Sequence, residues 1–92
     1  MNFEWDPRKA ENNLRKHGVS FGEAVTIFID ELSITVYDPD HSREEDRFIS
    51  IGWSNKSRLI MVSHTDRNNR IRIISARELT QDERKAYEEK ND

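Results

Sequence analysis

The sequence predicts an α+β fold in which two N-terminal helices pack on an antiparallel β-meander sheet and a third helix ends the chain. Capping signals bound two helical segments in the first third of the sequence. From residue 33 the apolar residues recur with a period of two, which is typical of strands. Short polar turns separate these later segments and favour antiparallel neighbours. The length suits one domain, residues 1–92.

The first predicted elements are a short strand and a helix. The run "FEW" at residues 3–5 is β-prone and predicts the strand. Asp6 can cap a helix, and Pro7 suits its first position, where no N–H is needed. We expect this helix to run to about His17, because Gly18 can supply the left-handed residue that ends it.

A second helix follows directly. Ser20 and Glu23 have the spacing of a capping box, in which each residue bonds the backbone N–H of the other. Apolar residues then recur at helical spacing, so this helix should face the core. They are Phe21, Ala24, Val25 and Phe28.

Four longer strands and a final helix complete the predicted order β-α-α-β-β-β-β-α. Thr80 and Glu83 form another capping box, which opens a charged helix to about Lys90. The two N-terminal helices should cover one face of the sheet and leave the other at least partly open. The predicted strands are Ile34–Tyr37, Arg47–Trp53, Arg58–Thr65 and Arg70–Arg77.

The last strand, within "RIRIISARELT", is heavily charged. Uninterrupted alternation places Arg77 on the same face as Ile71 and Ile73. It places Arg72 on the opposite face, with Ala76. The two arginines should then emerge at opposite ends of opposite faces, unless a twist or bulge near Ser75 brings both to one cleft.

Charge is distributed unevenly along the chain. The net charge is -3, yet residues 56–77 hold six lysines and arginines against one aspartate, a local charge of +5. This segment predicts an anion site, most simply for phosphates, and the alternative is chance clustering on solvated hairpins. No helix has a basic face suited to the DNA major groove.

Composition bounds the remaining function classes. The absence of cysteine excludes disulfides and thiolate metal sites and favours a cytoplasmic protein. The three histidines are too scattered to predict a metal site, and nothing indicates a cofactor. No apolar run is long enough to span a membrane.

Several motifs together resemble one family. They are "FEWD" at residues 3–6, "KHGVSFGEA" at 16–24, "IGWS" at 51–54 and "IRIISAR" at 71–77, and the match covers nearly the whole chain. The chain is similar to BrnT toxins of BrnT–BrnA type II toxin–antitoxin systems. This resemblance implies a RelE-like fold and a ribonuclease that inhibits translation. It also implies a BrnA-like ribbon-helix-helix antitoxin as partner, through which alone operator DNA is bound.

Metal-independent RNA cleavage needs a base near the 2′-hydroxyl, cations on the phosphate and an acid for the leaving oxygen. Arg72 and Arg77 are candidates for the phosphate, since the guanidinium fork matches its oxygens. His64 is the first candidate for proton transfer, ahead of His41 in the acidic loop, and Glu45 could act as a base. The alternatives are structural ion pairs for the arginines and a hydrogen-bonding role for His64.

Further residues are candidates for RNA binding. Tyr87 could stack on a base, although packing of its helix against the sheet is the simpler interpretation. The alternative function is a non-catalytic interaction module whose arginines meet an acidic partner protein. The cationic candidates are Arg47, Lys56, Arg58 and Arg70.

Overall fold

A computed structural model describes residues 1–90 of the chain, and it confirms the predicted order of elements. No helix in this range combines the length and apolar character needed to cross a bilayer. A 3₁₀ turn, Val25–Ile29, extends the second helix, and another, Pro39–His41, lies in the acidic loop. The elements are β1 (Phe3–Glu4), α1 (Pro7–His17), α2 (Phe21–Ala24), β2 (Ile34–Tyr37), β3 (Arg47–Trp53), β4 (Leu59–Arg67), β5 (Arg70–Glu78) and α3 (Gln81–Lys90).

The five strands form one sheet in the order β1-β5-β4-β3-β2. Strands β2 to β5 make the predicted antiparallel meander, and β1 adds a short parallel pairing to β5. The turn between β4 and β5 needs positive φ at Asn68 and Asn69, which asparagine tolerates. The two edges of the sheet are therefore β1 and β2.

The local signals bound α1 as predicted. The Asp6 Oδ1 atom accepts the N–H of Arg8 at 2.8 Å, and Pro7 begins the helix. Gly18 ends it with φ of 69°, and its N–H donates to the Leu14 carbonyl at 2.9 Å. A side chain at residue 18 would disfavour this left-handed backbone.

The two predicted capping boxes differ. Thr80 and Glu83 form both reciprocal bonds, at 2.8 and 3.2 Å. At α2 the Ser20 hydroxyl accepts the N–H of Glu23 at 3.0 Å, but the Glu23 carboxylate binds Arg58 and Ser54 instead of the Ser20 backbone. The predicted box at α2 is therefore only half formed, because a stronger charged partner arrives from the sheet.

The core lies between the N-terminal helices and one face of the sheet. Asn13 of α1 is buried and ties the two layers together, since its amide donates to the Val19 and Ala76 carbonyls and accepts the Ala76 N–H. The two predicted helices thus cover one face. The buried apolar residues of this core are Val19, Phe21, Ala24, Ile27, Ile60, Val62, Ile73 and Ala76.

A β-bulge in β5 changes which residues share a face. Ser63 of β4 pairs with Ser75, but the next residue pairs with Ile73, so Ile74 is the extra residue. The alternation reverses there, and Arg77 lies opposite Met61 on the face that the two N-terminal helices leave uncovered. Helix α3 lies against one end of this uncovered face. The bulge that the sequence left open as an alternative is therefore present, and it puts Arg72 and Arg77 on the same face, contrary to uninterrupted alternation.

Candidate active site

The uncovered face of the sheet holds a groove of about 360 Å³. It lies over β3, β4 and β5 and is bounded by the 3₁₀ turn Pro39–His41. Three apolar side chains line part of it, and two arginines, two serine hydroxyls, a histidine and a carboxylate line the rest. Its residues are Asp38, His41, Arg47, Ile49, Met61, Ser63, Ile74, Ser75 and Arg77.

Arg47 begins β3 and brings a cation without a neutralising partner to this groove. Its backbone N–H donates to the Ser42 hydroxyl at 2.9 Å, which holds the start of the strand. Its Nε atom is buried and has no hydrogen-bond partner. Within residues 1–90 its guanidinium forms no ion pair, so it is available for an incoming anion.

Arg77 reaches the same groove from β5, but a carboxylate of α3 holds it. Its NH1 and NH2 atoms donate to the two Glu83 oxygens at 2.7 and 2.9 Å. This pairing raises the pKa of Arg77 and lowers that of Glu83 to about 2, with the Thr80 N–H adding to the second effect. The ion pair that the sequence left open as an alternative is therefore formed, and because the arginine also lines the groove, its role toward phosphate stays a prediction.

His41 and Asp38 form a dyad at the edge of the groove. The Nδ1 atom of His41 lies 2.8 Å from Asp38 Oδ2. The His41 side chain is 65% exposed, whereas that of Asp38 is only 13% exposed, so the carboxylate is fixed and the ring is accessible. A carboxylate that binds Nδ1 orients the ring and leaves Nε2 for proton transfer.

The sequence placed His41 behind His64 as a candidate for proton transfer and did not identify Asp38 as its partner. The available signal was the "DPDH" turn, which spaces the two residues three apart. Its proximity to the arginines depends on the fold of the whole sheet.

His64 lies on the other side of the sheet, in the layer covered by the helices. It is 5% exposed, and its Nε2 atom is 2.7 Å from the Ser50 hydroxyl. The rings of Phe28 and Phe48 pack against it, and burial lowers its pKa. A substrate in the groove has no access to this ring.

Arg58 is engaged in a buried ion pair rather than presented to solvent. Its Nε atom donates to Glu23 Oε2 at 2.9 Å, its NH2 atom contacts Oε1, and NH2 also donates to the Gly18 carbonyl at 3.0 Å. The Ser54 hydroxyl adds a bond of 2.6 Å to the same carboxylate. Arg58 thereby joins the end of α1, helix α2 and strand β4.

The remaining candidates lie outside the groove. Arg72 pairs with Glu4 of β1 at 2.7 Å, on the same sheet face as Arg77. Glu45 pairs with Arg67 at 3.0 Å across the loop. Tyr87 is the buried residue of α3, and its hydroxyl donates to the Leu32 carbonyl at 2.9 Å. Arg70 and Lys56 lie exposed in or beside turns.

Comparisons with known proteins place these features in a family. A family model described as the ribonuclease toxin BrnT of type II toxin–antitoxin systems matches residues 5–83. The 1.1 Å crystal structure of the Brucella abortus ribonuclease toxin BrnT is similar, with a TM-score of 0.67 and 26% sequence identity over 88% of this chain and 99% of that one. No curated protein sequence gives a significant match. The family match spans most of the sequence, and the chain therefore belongs to the BrnT family of type II ribonuclease toxins.

Proposed function

We propose that this chain is a metal-independent endoribonuclease that cleaves RNA and thereby inhibits translation. The observation that carries the proposal is the groove on the uncovered sheet face. There an unpaired arginine, Arg47, lies with Arg77 and with the His41–Asp38 dyad. Two cations and an oriented imidazole supply the phosphate-binding groups and the base that phosphodiester transesterification requires, and water can serve as the acid.

The reaction assigns one task to each group. His41 Nε2 removes the proton of the 2′-hydroxyl, and Asp38 holds the ring and stabilises the imidazolium that forms. The 2′-oxygen attacks phosphorus while Arg47 and Arg77 bind the non-bridging oxygens, whose charge grows in the transition state. The bond from phosphorus to the 5′-oxygen then breaks, and that oxygen takes a proton from water. The hydroxide left behind takes the proton from the His41 imidazolium, which restores the base. The products are a 2′,3′-cyclic phosphate and a 5′-hydroxyl.

We assign the base to His41 rather than to His64 because of access. His64 is buried, and Ser50 occupies its Nε2 atom. Glu45 is likewise engaged, in its pair with Arg67. In this proposal both residues support the structure around the groove, and neither transfers a proton.

The flanking cations extend the RNA path beyond the groove. Arg72 lies on the same sheet face, and Arg70 continues toward the β4–β5 turn. The Arg70 side chain is 59% exposed, and its NH1 atom lies 4.0 Å from the Glu4 carboxylate, too far for a hydrogen bond, so it remains available to phosphates. Lys56 lies in the β3–β4 turn, where we propose a weaker, peripheral contact.

The proposed cellular partner is a BrnA-like ribbon-helix-helix antitoxin, and the proposed location is the cytoplasm. The antitoxin would neutralise the toxin by placing an acidic or apolar segment in the groove, against Arg47 and Arg77 and the apolar side chains beside them. Operator DNA would be bound through the antitoxin, since the net charge of this chain is -3.

RNA cleavage by the purified protein in EDTA tests the proposal. We expect wild-type cleavage, and a loss of at least about 100-fold for Arg47→Ala and for His41→Asn, the usual scale for transition-state cations and general bases. Arg15→Ala is the matched control, because Arg15 is an exposed arginine of α1 whose bond is to the neighbouring Asn12. Intact RNA with the folded wild-type protein would contradict the proposal and favour a module that binds an acidic partner.

A further inference from the structure

Strand β2 forms an exposed edge of the sheet. Its four residues, Ile34–Tyr37, pair with β3 on one side, and no strand within residues 1–90 pairs with the other side. Val36 and Tyr37 are each 50% exposed, although valine and tyrosine are residues that sheets usually bury. The strand itself has no lysine, no proline and no bulge, which are the features that commonly prevent another strand from pairing with an edge.

The backbone of β2 presents free pairing groups at this edge. The N–H of Asp38 donates to the Arg47 carbonyl at 2.9 Å, and inward and outward residues alternate along an antiparallel strand. Ile34 and Val36 therefore bond inward to β3. Thr35 and Tyr37 direct their N–H and C=O groups outward, where an added strand could bond them.

The charges at the two ends of β2 determine what can pair there. The four residues before the strand and the four after it contain four carboxylates and no lysine or arginine. A second copy of this chain would place like charges side by side in either strand orientation, which disfavours self-pairing. RNA is repelled for the same reason. The acidic residues are Asp30, Glu31, Asp38 and Asp40. Of these, Asp38 binds His41, and Asp30 accepts the N–H groups of Leu32 and Trp53. The exposed carboxylates that a partner can reach are therefore Glu31 and Asp40.

We propose that β2 is a docking edge for an extended segment of a partner protein with a β-branched centre and lysine or arginine at both ends. The segment would join the sheet as a sixth strand, with main-chain bonds to Thr35 and Tyr37 and charge pairing at its ends. The groove is not lined by Thr35 or Tyr37, nor by the exposed carboxylates Glu31 and Asp40, so the inference does not depend on RNA cleavage.

Two synthetic peptides test the proposal on the full chain by NMR. One has alternating valine and threonine at its centre and two lysines at each end, and the other has glutamates in place of the lysines. We expect the lysine peptide to shift and protect the Thr35 and Tyr37 amides and to bind at least about tenfold more tightly, as a few surface charge pairs allow. Equal binding of both peptides, or shifts confined to the groove, would overturn the proposal.

A charge reversal supplies the second test. The double variant Glu31→Lys with Asp40→Lys should weaken binding of the lysine peptide by about tenfold. The matched control, Glu11→Lys with Glu89→Lys, changes net charge equally on exposed helix positions and should leave binding unchanged. If both double variants lose the same amount of affinity for the lysine peptide, the effect comes from net charge alone and the docking edge is refuted. Dimerisation of the wild-type protein through β2 would identify a second copy as the occupant and refute it as well.

Discussion

Removing the arginine of the buried ion pair should destabilise the fold. In Arg58→Ala the Glu23 carboxylate keeps its place between α2 and β4 but loses the guanidinium that neutralises it. The Glu23 side chain is only 1% exposed, so its charge depends on protein partners rather than on solvent. The sequence alone proposed Arg58 as an RNA ligand, and this variant separates that role from a structural one.

The magnitude follows from what remains around the carboxylate. Breaking a buried ion pair by removing one partner costs about 3–5 kcal/mol. The Ser54 hydroxyl still donates to Glu23 at 2.6 Å, and the Arg58 side chain is 28% exposed, so we expect the lower part of that range. About 3 kcal/mol should lower the melting temperature of a domain of this size by roughly 10–20 °C.

Urea denaturation of the single and double variants measures this energy. Glu23→Gln combined with Arg58→Ala should recover much of the loss, because the uncompensated charge is then absent. Arg15→Ala, on the surface of α1, is the control and should change the free energy of unfolding by less than about 0.5 kcal/mol.

The pH dependence of the Arg58→Ala variant is diagnostic. In the wild-type protein Arg58 lowers the pKa of Glu23, so the stability from this pair is present above about pH 4.5 and is lost as pH falls through the lower folded pKa. In the variant burial dominates and raises the pKa of Glu23. Acidification toward pH 4 should therefore reduce the difference in the free energy of unfolding between the wild-type protein and the variant. A cost below about 1 kcal/mol at pH 7, combined with loss of RNA cleavage, would refute the structural role.

Three further perturbations follow from the structure. Burial lowers the pKa of His64, so the unfolded chain binds the proton first, and the free energy of unfolding should fall as pH drops below about 6.5, by at most about 1.4 kcal/mol per pH unit. Urea titrations at several pH values should show this slope, and His64→Gln should remove it. Asn13→Ala leaves the Ala76 N–H and two carbonyls without their partner and should cost about 2–4 kcal/mol in the same assay. Gly52→Ala would place a Cβ atom 2.9 Å from the Ser33 Cβ and 3.1 Å from the Ile27 carbonyl oxygen, and should cost about 1–3 kcal/mol. The control Gly22→Ala meets nothing closer than 3.8 Å and should be neutral or stabilising; equal effects of the two alanines would count against the close packing at residue 52.

Features that depend on residues close in sequence were predictable. Asp6, Pro7 and Gly18 bound α1, and Thr80 with Glu83 opens α3, because a cap is made within one helical turn. The half-formed box at Ser20 marks the limit of this reasoning. There a residue 35 positions away in sequence, Arg58, binds the carboxylate that the local pattern assigned to the helix backbone.

The groove depended on contacts that no local pattern encodes. The Ile74 bulge reverses the alternation of β5 and moves Arg77 to the open face, and a single extra residue leaves no mark in an apolar run. His41 has the turn spacing that binds Asp38, but only the folded sheet sets it beside Arg47. Its place in the basic segment therefore made His64 the first candidate. The pairing of β4 within the sheet, however, buries its side chain in the covered layer.

The sequence by itself determined the order of elements, the basic segment at residues 56–77 and the family resemblance, because caps, periodicity and composition are local properties. The tertiary structure decided the partner of each charge. Arg72 meets Glu4 across 68 positions, Arg58 meets Glu23, and Arg47 meets no carboxylate within residues 1–90. Which cation is neutralised and which stays available depends on distances of a few ångströms between distant segments, and those distances exist only once the sheet has formed.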